Sequence, residues 1–208
     1  ARFYASMAER GFTGGKLKGG HDAERDIRRL DIVGAALRIN TDSPALMLDA
    51  NESWNLKQAV RYIHTVESRV DLTWIEEPLR RWDAAGHARL SSSVRAAVAT
   101  GENLTGLEQF RPLFDAQAVD VVQAGAVWGV THFLRVALAA HSRDLPISPV
   151  GLTANYAVAA AAASALVLTL AACSVNDDLA ADYRAGDNKG YIKADETIEL
   201  IPVADRGE

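Results

Sequence analysis

The stretch Trp74-Ile75-Glu76-Glu77-Pro78 decides how the rest of the chain reads. The apolar run before it, Leu72-Thr73-Trp74-Ile75, has the length and β-branched character of a buried strand. Pro78 has no N–H to give a ladder, so the strand stops there. Two carboxylates therefore sit at a strand's C-terminal end, where α/β folds keep their chemistry. The same event recurs on both sides, at Leu46-Met47-Leu48-Asp49 and at Ala97-Val98-Ala99-Thr100-Gly101-Glu102. Asp49 and Glu76 are 27 residues apart, and Glu76 and Glu102 are 26 apart. That is the length of one strand–helix unit, so three neighbouring strands each bring one carboxylate to one rim.

Working outward, helical and strand patterns alternate about every 25 residues. Arg2 to Arg10 reads as a helix stopped by Gly11. Lys16 and Lys18 then fall on one face of a strand, flanked by Gly14, Gly15, Gly19 and Gly20. Asp22 to Leu37 reads as an amphipathic helix. Further helices are expected at Asn55 to Glu67, Ala84 to Ser92, Gly106 to Ala116, Val130 to Ser142 and Asn155 to Ser164. Strands are expected at Val119 to Gln123, Leu145 to Ser148 and Ala165 to Leu170. This makes seven strands joined by right-handed parallel crossovers. A closed (β/α)8 barrel needs eight strands and about 250 residues. The expected fold is therefore a TIM-type barrel, modified or incomplete, with its first strand lying upstream of residue 1. Residues 1–175 form the barrel. Residues 176–208, with the polar stretch Asn176 to Gly190 and extended segments at Tyr191 to Lys193 and Thr197 to Val203, pack on it or on a capping domain.

Composition narrows the function. The chain has 208 residues, 49% hydrophobic and 24% charged, enough for one globular core. Its net charge of −5 and the lack of any Lys/Arg-rich run argue against nucleic-acid partners. Cys173 is the one cysteine, so neither an internal disulfide framework nor a cysteine-based zinc site is available. It reads as a small buried hydrophobe. The alanine-rich run Ala157 to Cys173 falls short of the roughly 20 strongly apolar residues of a membrane span and reads as a buried helix entering a strand. No signal peptide is legible at Ala1-Arg2-Phe3-Tyr4, and a cytoplasmic protein is expected.

Asp49, Glu76 and Glu102 are hard oxygen donors with no histidine or cysteine among them. Such a set suits Mg²⁺. Lys16 and Lys18 lie on the strand next to Asp49. Repulsion between two ammonium groups, and by a nearby cation, would lower their pKa and make a lysine able to act as a general base. Of the five histidines, His64, His87, His132 and His141 fall on or beside helices and read as surface or packing residues, while His21 could reach the rim. Asn155 and Tyr156 could donate to a leaving hydroxyl.

Taken together, Lys16-Leu17-Lys18, Leu48-Asp49-Ala50-Asn51, Trp74-Ile75-Glu76-Glu77-Pro78, Gly101-Glu102-Asn103 and Trp128-Gly129-Val130-Thr131 resemble the enolase superfamily, in its mandelate racemase-like and acid-sugar dehydratase-like branch. That superfamily is itself a standard example of a Lys or His base paired with Mg²⁺, so this chemistry comes with the family and not from spacing alone. The resemblance implies that Asp49, Glu76 and Glu102 hold Mg²⁺. It makes Lys18 the base that removes the proton α to a carboxylate, with Lys16 as its tuning neighbour. It further implies substrate contacts from Asn51, Asn103 and Gln123, a small-molecule carboxylate (a sugar acid or α-hydroxy acid) as partner, and a homo-oligomer.

The departures also matter. That branch usually has an Asp ending the sixth barrel strand and a His ending the seventh. Here those regions read Val122-Gln123-Ala124-Gly125 and Ile147-Ser148-Pro149-Val150. The expected Glu near Leu170 is absent, as is the sixth-strand Lys of other branches. A strong base on one face favours β-elimination of water by one lysine over a two-base racemisation. A racemase or epimerase of the same superfamily, and a non-catalytic or truncated barrel, are the alternatives. The superfamily's N-terminal capping domain, which selects substrate, is not in this sequence and is expected upstream.

Overall fold

The computed structural model describes residues 2–151 and residue 159. Six parallel strands lie in the order β1 to β6: Gly14–Lys18, Ala45–Asp49, Trp74–Glu76, Ala97–Thr100, Val121–Gly125 and Ile147–Val150. Between them run helices α2 (Ala23–Leu37), α3 (Leu56–Glu67), α4 (Ala84–Ser91), α5 (Leu107–Asp115) and α6 (Val130–His141), with α1 (Arg2–Glu9) ahead of β1. A short 3₁₀ turn, Ala126–Trp128, precedes α6. The sheet curls as an open arc of a (β/α)8 barrel, and its described residues supply six of the eight strands a closed barrel contains. The seventh expected strand, the helix at Asn155 to Ser164, Cys173 and the segment 176–208 lie outside the described residues.

The strands pair in even register. Leu17, Leu48, Ile75 and Val98 stand opposite one another, as do Lys18, Asp49, Glu76 and Ala99. Side chains alternate along a strand, so these two rows face opposite ways. The first row meets the helices: Leu48, Ile75 and Val98 pack with Ile27, Leu30 and Leu37 of α2, Ile63 and Val66 of α3, and Leu90 of α4. A second cluster, centred on Phe110, Leu113, Val122 and Phe133, continues that layer under α5 and α6. The other face is the barrel interior. There Met47 and Trp74, one row below the acids, pack with Ala99 beside Glu76 as a small apolar cluster.

Helix starts follow the capping residues in the sequence. Asp22 accepts from the Arg25 amide at the start of α2, and Asn55 with Gln58 forms a capping box at α3. The last two strands begin two residues later than their apolar runs suggest. Val119 packs in the core, and the Asp120 carboxylate turns back to the Val98 amide and Ser91. Leu145 donates its amide to Ala140 and so closes α6 before β6 begins.

Among the described residues, no helix is long and apolar enough to cross a membrane. Ile75 is fully buried between sheet and helices. Ile75→Ala should therefore cost about 2–5 kcal/mol, read as a drop in urea unfolding midpoint with an unchanged slope.

Candidate functional site

The register sets the site. Lys18 of β1, Asp49 of β2 and Glu76 of β3 stand side by side on the interior face, with Lys16 two residues down. Both Asp49 and Glu76 have 0% exposure, and their carboxyls hydrogen-bond to one another. Two buried carboxylates in contact need nearby positive charge. The lysines supply it: Lys16 pairs with Glu76 and lies 3.5 Å from Asp49, while Lys18 pairs with Asp49. The indole N–H of Trp74, from the layer below, donates to Glu76 Oε2 at 3.3 Å, and the Asn51 amide donates to Asp49 Oδ1 at 2.9 Å.

The two acids divide their roles. Burial raises the pKa of Glu76, Lys16 opposes this, and the neighbouring Asp49 adds to it; the result lies above the usual glutamate range. For Asp49 burial also pushes upward, but hydrogen bonds from Lys18 and Glu76 and the Lys16 charge outweigh it, and its pKa falls. Glu76 is the member that takes up a proton first. Lys18 departs from the expectation of a lowered pKa. Burial does act to lower it, but the Asp49 hydrogen bond and the charges of Asp49, Glu102 and Glu76 raise it above the ordinary lysine value. Carboxylates, not the other lysine, dominate its surroundings.

Glu102 stands apart from this group. β4 ends at Thr100, and Gly101 turns the chain at φ +125° before Glu102. A Cβ at Gly101 would stand 2.5 Å from the Gln123 carbonyl oxygen and 2.7 Å from the Phe110 ring, so only glycine fits that turn. Glu102 is half-buried and acts on Lys18 and Glu77 through its charge. As placed, no three acidic, histidine or cysteine side chains among the described residues converge closely enough to enclose an ion. The donors nevertheless fit Mg²⁺ in kind: oxygen only, anionic, from consecutive strand ends, with two of them buried and calling for positive charge.

The remaining expected residues divide. Asn51 is exposed at the rim, with a left-handed backbone (φ 47°). Gln123 lies on the interior face of β5, 1% exposed, opposite Ser148, and its side-chain carbonyl has no partner among the described residues. Asn103 is engaged: its Nδ2 donates to Glu77 Oε1 at 2.6 Å. His21 is exposed and lines a hollow of about 460 Å³ with Trp54, Arg61 and Tyr62, which none of the acids or lysines of the site reaches. His87 is fully buried and His64 exposed, as packing and surface residues should be. Asn155 and Tyr156 fall outside the described residues.

Sequence reasoning missed an ion pair above the acids. Arg81 donates from Nε to Glu52 Oε1 at 2.7 Å and from Nη2 to Glu52 Oε2 at 3.0 Å, and its backbone amide adds a third bond at 2.8 Å. The signal available was Arg80-Arg81 just beyond Pro78-Leu79, two cations in a loop beside acids.

The fold is that of a (β/α)8-barrel domain carrying acids at successive strand ends. The chain belongs to the enolase C-terminal domain-like family, whose profile matches residues 1–200. It is 40% identical over 142 residues to an L-talarate/galactarate dehydratase of Salmonella typhimurium, an alignment covering 66% of this chain and 35% of that protein. The structure of an L-talarate dehydratase from Polaromonas sp. JS666, complexed with Mg and L-glucarate, superposes with TM-score 0.64 at 36% identity, over 72% of this chain and 42% of that one. A racemase from Streptomyces coelicolor with bound magnesium gives TM-score 0.64 at 30% identity, over 73% and 46%. The chain spans about a third of the length of the curated relatives it matches.

The Glu52–Arg81 pair sets a pH limit. Burial pushes the Glu52 pKa up, but the Arg81 hydrogen bonds and charge outweigh it and hold the value below the ordinary 4.5. A depressed carboxylate stabilises the fold above that ordinary value and loses its contribution as pH falls through the folded one. Glu52→Gln should therefore cost on the order of 1–3 kcal/mol at pH 7. In thermal melts, the gap between wild type and variant should shrink as pH drops below 4.5.

Proposed function

We propose that this chain is the barrel part of an Mg²⁺-dependent enzyme that removes the proton α to a carboxylate and dehydrates an acid sugar. The observation that carries the reading is the placement of Lys18. Its side chain is 62% exposed while its ammonium reaches the buried Asp49, so one amine touches both the mouth and the acids. Lys16, at 32%, is held deeper, between Glu76 and Asp49. Lys18 is thus the base and Lys16 a positioning residue that keeps positive charge beside the acids.

Asp49, Glu76 and Glu102 would hold the ion. Bound there, Mg²⁺ supplies electrostatic stabilisation of the negative charge that develops on the substrate carboxylate as the α-proton leaves. An ion held by Asp49, Glu76 and Glu102 would cancel the carboxylate charges that raise the Lys18 pKa, and the neutral Lys18 Nζ takes that proton. The C–O bond to the β-hydroxyl breaks, and the proton on Lys18 leaves with the oxygen as water. The resulting enol becomes a 2-keto-3-deoxy acid, and Lys18 returns to its starting form. Asn51 and Gln123 would contact substrate hydroxyls, Gln123 through its unpartnered carbonyl.

Dehydration is favoured over racemisation by the far side of the site. The polar interior residues of β5 and β6 are Gln123 and Ser148, neither of which is a base at neutral pH. The dehydratase complexed with L-glucarate supports a sugar diacid as substrate class.

Proton NMR in D₂O with Mg²⁺ and a panel of sugar diacids tests this. Wild type should yield signals of a 3-deoxy-2-keto acid, and Lys18→Ala should slow their appearance by about 10²–10⁴-fold. Deuterium exchange at the α-carbon with inversion and no loss of water would mark a racemase. The absence of exchange and of product with every acid would overturn the enzymatic reading.

A further inference from the structure

Glu102 reaches its place on a loop that the acids themselves do not hold. Its peptide is fixed on both sides by groups from neighbouring units. The Glu102 carbonyl accepts from Trp128 Nε1 at 3.4 Å, and the next carbonyl, that of Asn103, accepts from Arg81 Nη1 at 3.3 Å. The Asn103 side chain donates to Glu77 at 2.6 Å. Glu77 is 2% exposed and left-handed (φ 43°), and its amide donates to the Ala99 carbonyl of β4 at 2.9 Å. Glu52, also left-handed (φ 57°), donates its amide to the Glu77 carbonyl at 2.7 Å and receives the Arg81 fork.

Glu52, Glu77, Arg81 and Asn103 therefore lace together the three loops that follow Asp49, Glu76 and Glu102. Each belongs to one of those loops, and each bond in the lace joins two groups within or between them. Glu52 and Glu77 are held in a left-handed backbone conformation, which persists only where the surroundings fix it.

We infer that Asn103 and Arg81 are positioning residues that set the distance of Glu102 from the Asp49–Glu76 pair, and that Glu77 serves them as a hydrogen-bond acceptor and not as a ligand. This rests on the reading that Asp49, Glu76 and Glu102 hold the ion. It reassigns Asn103, which the resemblance had placed against substrate. Asn103→Ala removes the bond to Glu77. Arg81→Lys keeps the charge but lacks the planar fork that spans Glu52 and the Asn103 carbonyl. Glu77→Gln keeps the acceptor oxygen and removes the charge.

The test is Mn²⁺ binding to the full chain, followed by the loss of the free-ion electron paramagnetic resonance signal, with thermal melts on the same samples. Glu102→Gln should weaken binding strongly. Asn103→Ala and Arg81→Lys should each weaken it about 10–100-fold in folded protein, while Glu77→Gln stays near wild type. If Glu102→Gln weakens binding but Asn103→Ala and Arg81→Lys only lower the melting temperature, the lace is merely structural and the inference falls with the ligand set intact. A loss on Glu77→Gln equal to that of Glu102→Gln would make Glu77 a ligand and overturn its role here. Unchanged binding in Glu102→Gln would overturn the ligand reading itself.

Discussion

Two carboxylates side by side, each closed off from water, are the constraint on which this structure turns. Asp49 and Glu76 are neighbours because β2 and β3 pair in register, and they are buried because the interior of the sheet is. Neither fact leaves room for two uncompensated negative charges. The lysines of β1 follow from that need, as does the indole beneath Glu76. A divalent cation answers the same need, and the magnesium-bound relatives share this fold. Below the acids Met47 and Trp74 form an apolar layer, from which the indole N–H reaches Glu76.

Much of this was legible in the sequence, for a physical reason. A strand that ends in acids and a proline, as at Glu76-Glu77-Pro78, declares its own terminus, and acids recurring at Asp49 and Glu102, one strand–helix unit to either side, point to parallel neighbours. The alternation of Lys16 and Lys18 gave their shared face. The match of the family profile to residues 1–200 agrees with the motif set that suggested the family.

What was not legible depended on contacts between units. The pKa of Lys18 was expected to fall through repulsion from a second lysine and a nearby cation; the carboxylates that raise it in the protein alone stand 31 and more residues away. Glu102 was taken for a strand end like the others, but Gly101 bends the chain before it arrives. Asn103 was expected against substrate from the resemblance alone; its bond to Glu77, one loop away, is a contact that no single loop shows. Arg80-Arg81 marked a cationic loop, but a single loop does not reveal that its partner is Glu52 of the preceding one. The starts of β5 and β6 moved because an apolar residue can finish a helix as well as begin a strand.

The pairing of Lys16 with Glu76 joins positions 60 residues apart. Closing a loop of that length costs more entropy than the contacts inside one strand–helix unit, so the pair depends on the units between being docked. The ammonium–carboxylate pairs of the cluster therefore report on the docking of β1, β2 and β3 together. Any fluctuation that lifts one strand–helix unit from its neighbours disperses the charges at once, so local opening and loss of the site are the same motion.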